Sequence, residues 1–92
     1  MQGAPLTVSA LGPGRWRVEV RGATRTIHEV EIPAGYLEKL GLAAARPERV
    51  LEESFRFLLE REPNTAILSS FALPVIARYF PEYARELPRR LA

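Results

Sequence analysis

Cysteine and aspartate are absent from the chain, and histidine, methionine, tryptophan and lysine each occur once, as His28, Met1, Trp16 and Lys39. Without cysteine there is no disulfide framework, no thiolate nucleophile and no sulfur-rich metal site. A metal centre needs three or four ligands, and His28 has no second histidine, cysteine or aspartate to join it. No serine stands in a Gly-x-Ser-x-Gly elbow, and no phosphate loop or dinucleotide fingerprint is present. Catalytic, metal-binding and cofactor-binding residues are therefore not expected. No apolar run approaches the ~20 residues of a membrane helix. The opening MQGAPLTVSALGPG has neither a basic head nor a continuous apolar stretch, so no signal peptide is expected and the cytoplasm is the expected location.

What remains is enough for one small core. The 92 residues are 47% hydrophobic and 26% charged, which fits a single soluble domain over 1–92. Every acid is a glutamate, and arginine supplies all the basic residues except Lys39. Few labile side chains and plentiful charge pairs give a thermophile-like composition. The net charge of +2 is too small to argue for nucleic acid by itself.

Residues 6–10, 15–21 and 25–32 alternate with period two, separated by Gly12-Pro13-Gly14 and Gly22-Ala23-Thr24. If both connections are three-residue hairpin loops, Leu6, Val8 and Ala10 face Val20, Val18 and Trp16. The same strand then sets Val20, Val18 and Trp16 against Thr26, His28 and Val30. On the other face Arg17 meets Glu29 and Arg15 meets Glu31. A slip of one residue would place Glu29 beside Trp16, so apolar and charge matching select the same register. The spacing predicts a three-stranded antiparallel meander.

Arg15, Arg17, Arg21 and Arg25 admit two readings, a basic strip for phosphates or a solvated face whose arginines pair with Glu19, Glu29 and Glu31. The second is favoured, since the register supplies carboxylates and the one sheet aromatic, Trp16, points to the core. His28, on the face of Val18 and Val30, reads as a structural histidine at a core margin.

Residues 33–91 read as a helical cover. A short helix opens at or soon after Pro33 and ends at Gly41. Pro47 starts a longer one over 47–62, with Val50, Leu51, Ser54, Phe55, Phe57, Leu58 and Leu59 on an arc of about 200°. So wide an arc must touch more than the sheet. A short helix is expected over 66–70. Val75, Ile76, Tyr79, Phe80, Tyr83 and Leu87 then form one stripe through Pro81, on a kinked helix or on two helices meeting at Phe80-Pro81. Glu82–Glu86 and Arg85–Arg89 are like-charge pairs that weaken this tail unless it docks.

Three pieces of this region, LEREPNTAILSSF (59–71), LPVI (73–76) and RYFPEY (78–83), carry a resemblance to a family of small uncharacterised bacterial proteins. It covers roughly the C-terminal third and implies a bacterial cytosolic setting, with no activity or site residue attached.

The fold expected is α+β, a three-stranded antiparallel β-meander over 6–32 covered on one face by a C-terminal helical layer. The function expected first is a non-enzymatic protein–protein interaction or regulatory module that forms a homo-oligomer, with Arg78, Tyr79, Phe80 and Tyr83 as the interaction surface. Next comes a nucleic-acid accessory protein using Arg15, Arg17, Arg21 and Arg25, and last a small hydrolase or transferase using His28.

Overall fold

A computed structural model describes residues 5–92. The expected meander forms from β1 (Leu6–Gly12), β2 (Arg15–Arg21) and β3 (Arg25–Glu31). Leu6, Val8 and Ala10 pair with Val20, Val18 and Trp16, and β2 meets β3 through Trp16–Val30, Val18–His28 and Val20–Thr26. The second loop has the three expected residues, because Arg21 pairs with Arg25. The first is tighter. Gly12 pairs with Arg15, so Pro13-Gly14 makes a two-residue turn and Leu11 is taken up in a bulge. Pro13 presets its φ and Gly14 takes φ 69°, the pairing that suits a type II turn. A side chain at Gly14 would also crowd the Ile32 carbonyl, 3.1 Å away.

The sheet is larger than the sequence suggested. A short β4 (Ser70–Ala72) lies parallel to β3, giving a four-stranded mixed sheet in the order β1-β2-β3-β4. The helix expected over 66–70 is instead a 3-10 turn, Asn64–Ala66, leading into β4. A parallel neighbour needs a long crossover, and residues 32–69 provide it.

Two helices lie in that crossover. In α1 (Tyr36–Lys39) the chain closes as a Schellman motif: Leu42 N donates to Leu37 O, Gly41 N donates to Glu38 O, and Gly41 has φ 75°. Pro47 is the first residue of α2 (Pro47–Leu59), which stops short of the expected Glu62 as Arg61 N and Glu62 N both turn back to Leu58 O. α2 buries Val50, Leu51, Ser54, Phe55, Phe57 and Leu58. Phe55 meets the sheet, its ring centroid 5.3 Å from His28 and 6.1 Å from Phe71.

The tail divides at Phe80-Pro81 into α3 (Val75–Tyr79) and α4 (Tyr83–Leu91). Phe80 leaves the helical region at φ −133°, ψ 85°, as a residue before proline tends to do. α4 packs on α2 and brings Tyr83 and Leu87 into the core. The second side of the wide α2 arc is thus covered by the chain's own tail. Self-association is not needed to cover it, which removes that ground for expecting an oligomer.

Of the two like-charge pairs of the tail, Glu82–Glu86 meets counter-charge from Arg61, just beyond α2, and Arg90, whereas Arg85 and Arg89 make no ion pair among the described residues. Arg61 reaches Glu82 at 3.1 Å and Glu86 at 3.3 Å, while Arg90 reaches Glu60 at 2.6 Å and Glu86 at 3.4 Å. The Arg61 guanidinium also lies 3.6 Å from the Phe57 ring centroid, a close cation–π contact. Docking turns Glu82–Glu86 from a repulsive pair into a shared site for one arginine.

Candidate functional site

Rotation about the Phe80-Pro81 break sends the two tail tyrosines to different places. Tyr83 was expected at an interaction surface and is instead wholly buried. Its hydroxyl lies 2.7 Å from Ser54 Oγ, which itself donates to Val50 O at 2.6 Å. The phenol therefore donates to Ser54. Burial pushes its pKa well up, only partly offset by that hydrogen bond. Tyr83 is a core residue and leaves the candidate surface.

The other three residues stay near the surface. Tyr79 is 67% exposed and Arg78 is exposed, while Phe80 is half-buried with its ring 6.0 Å from Phe57 in an edge-on contact. Tyr79 and Phe80 line an open cleft of about 280 Å³, together with Leu58, Glu62, Ala66, Ile67, Leu68, Phe71, Val75 and Ile76. Glu62 alone of these carries a charge. Leu68, 48% exposed, stands with Tyr79 as a large apolar side chain left open to water. A shallower depression lies against Pro33, Tyr36, Lys39 and Pro74, where partial burial raises the Tyr36 phenol.

The far wall of the cleft is held by a hydrogen-bonded chain. His28 Nδ1 donates to Leu68 O at 2.7 Å, so Nε2 is free to accept from Thr26 Oγ1 at 2.9 Å. Asn64 Nδ2 in turn donates to Thr26 Oγ1 at 2.8 Å and to Thr24 O at 2.7 Å. One imidazole and one amide therefore tie residues 64–68 to β3 and to the β2–β3 turn. His28 is buried, and both its nitrogens are engaged. It holds the Leu68 carbonyl and so the chain leading into β4. Among the described residues no group of three or more histidine, cysteine or acidic side chains could hold a metal ion.

The arginines of β2 and β3 stand on the face away from the helices, interleaved with carboxylates. Arg25 hydrogen-bonds Glu19 and Arg21 lies 3.7 Å from the same carboxylate, while Arg15 pairs with Glu29 at 3.2 Å. Arg17 and Glu29 are opposite in register, as are Arg15 and Glu31, but the ion pair formed is the diagonal one, Arg15–Glu29. The Arg25 hydrogen bond holds the Glu19 carboxyl below its ordinary range. Of these four arginines, Arg17 alone makes no ion pair among the described residues.

Sequence reasoning missed Ile67, Leu68 and Phe71 as parts of one surface. The signal was ILSSF between two prolines, apolar yet too short to show a period. Among the described residues no helix is long and apolar enough to cross a membrane. Comparison with protein-family models, with curated proteins and with solved structures gives no match.

Proposed function

We propose that this chain is a non-enzymatic protein–protein interaction module of the bacterial cytoplasm, and that its partner is a second copy of itself. The observation that carries the reading is the cleft. Tyr79, with two-thirds of its surface in water, and Leu68 border an apolar hollow that the chain's own core does not fill. Large apolar side chains gathered at one open site mark an interaction surface, and tyrosine and arginine are enriched there. Arg78 adds the guanidinium beside Tyr79.

A second copy fits this site because its charges match themselves. Glu62 in the cleft and Arg78 on α3 have no ion-pair partner among the described residues. An isologous contact lets each copy's acid meet the other's base. Light scattering across the micromolar range tests the reading: a dimer mass that falls on dilution is expected, and a monomer mass throughout would end it.

The nucleic-acid reading has less behind it. Three of the four arginines concerned share carboxylates on their own face. The enzymatic reading has less again, since both nitrogens of His28 are engaged inside the fold.

A further inference from the structure

The outer edge of β4 has its hydrogen-bonding groups fixed by parity. Glu29 N donates to Ser69 O at 2.8 Å, Leu73 N donates to Glu31 O at 2.8 Å, and Phe71 stands opposite Val30 in the parallel ladder. Residues 69, 71 and 73 therefore turn their backbone groups towards β3. Ser70 and Ala72 turn theirs to the open side, where β4 ends the sheet and no backbone partner meets them among the described residues. The Phe71 side chain, opposite buried Val30, falls on the helix-bearing side and lines the cleft.

We infer that two copies join by antiparallel pairing of their β4 edges about a two-fold axis at Phe71, which merges the two sheets and closes the cleft of each copy. This rests on the self-association reading and gives it a register. Ser70 of one copy would face Ala72 of the other and exchange both N–H···O bonds, and the axis repeats the exchange on its far side. Phe71 would face its own counterpart as a non-hydrogen-bonded pair, the closer kind, with both rings on the cleft side.

The edge is complementary to itself, as an isologous contact requires, because its two outward residues flank Phe71 symmetrically. The opposite edge, β1, is a poorer candidate. It carries the Leu11 bulge, a feature that blunts edge pairing, and it does not line the cleft.

Amide hydrogen exchange of the unmodified protein, measured beside its mass at several concentrations, tests this directly. Only unpaired chains exchange, so the Ser70 and Ala72 amides should slow roughly tenfold once about nine-tenths of the chains are paired. The amides of Leu6, Val8 and Ala10 should not change. Ala72→Pro supplies a second arm, because proline is tolerated on an edge strand where its missing N–H faced outward. It should leave the monomer folded and weaken dimerisation at least about tenfold. A dimer with unchanged exchange at Ser70 and Ala72, or with protection at Leu6, Val8 and Ala10 instead, would overturn the β4 register and leave self-association standing. A monomer at every concentration would overturn both.

Discussion

Tyr83 and Ser54 hold each other by a 2.7 Å hydrogen bond between two wholly buried side chains, one on α4 and one on α2. This contact decides how the aromatic tail is divided. Everything beyond Pro81 that belongs to the stripe is core, and everything before it borders the cleft.

Tyr83→Phe should keep the fold and lose about 1 kcal/mol, the net value of one hydrogen bond, seen as a melting temperature lower by about 5 °C. Tyr83→Glu would bury an unpaired charge and should abolish the cooperative transition. The raised phenol pKa adds an alkaline signature. The stabilisation is present in full below the unfolded value of ~10 and is lost as pH rises from there towards the folded value. Melting curves of Tyr83→Phe should lack that alkaline decline.

At the acid end, α4 should be the weak point. A hydrogen bond from Arg90 chiefly lowers the Glu60 pKa, while for Glu82 its own backbone amide leads and Arg61 adds to it. Folded values below unfolded ones mean stabilisation that is present above the unfolded value of ~4.3 and lost as pH falls through the folded values. Arg61→Gln should therefore flatten the acid limb of melting temperature against pH. An unchanged limb would show that Arg61 carries none of the acid dependence, leaving it to Arg90 and the Glu82 backbone amide.

Asn64→Ala removes the amide's bonds to Thr24 O and Thr26 Oγ1 and should cost about 1–2 kcal/mol. His28→Gln should also lower the melting temperature. Both act on the segment that delivers β4, so the Phe71 amide should exchange faster in each variant while amides of β1 and β2 do not. Equal acceleration everywhere would mean that the hydrogen-bonded chain anchors nothing in particular.

Binding to single-stranded DNA should be weak, with a shallow dependence on salt, because few arginines of the outer sheet face lack a carboxylate partner. Titration at physiological salt checks this. Submicromolar affinity that disappears in an Arg15/Arg17/Arg21 triple alanine variant would restore the nucleic-acid reading.

The meander was legible in the sequence because its pairings are local and doubly constrained. Val18 and Val20 must face inward, and the same register sets Arg17 against Glu29. β4 was not legible. Three residues are too few to reveal a period, and the contacts that tie the preceding segment to β3, from His28 and Asn64, span about 40 positions. The stripe from Val75 to Leu87 had the right composition but no visible phase. An unbroken helix would keep Tyr79 and Tyr83 on one face, and Phe80 at φ −133° takes them apart. The cleft followed from the same two events and so lay beyond the sequence as well.

The division of the stripe into core and contact is tested most directly by Tyr79→Glu. Its sedimentation and its far-UV circular dichroism should be measured beside those of the unmodified protein at one concentration. A dimer in the unmodified protein and a monomer with an unchanged spectrum in Tyr79→Glu is the predicted result. A variant that loses its helical signal, or one that sediments as the same dimer, would contradict the placement of Tyr79 on a free interaction surface.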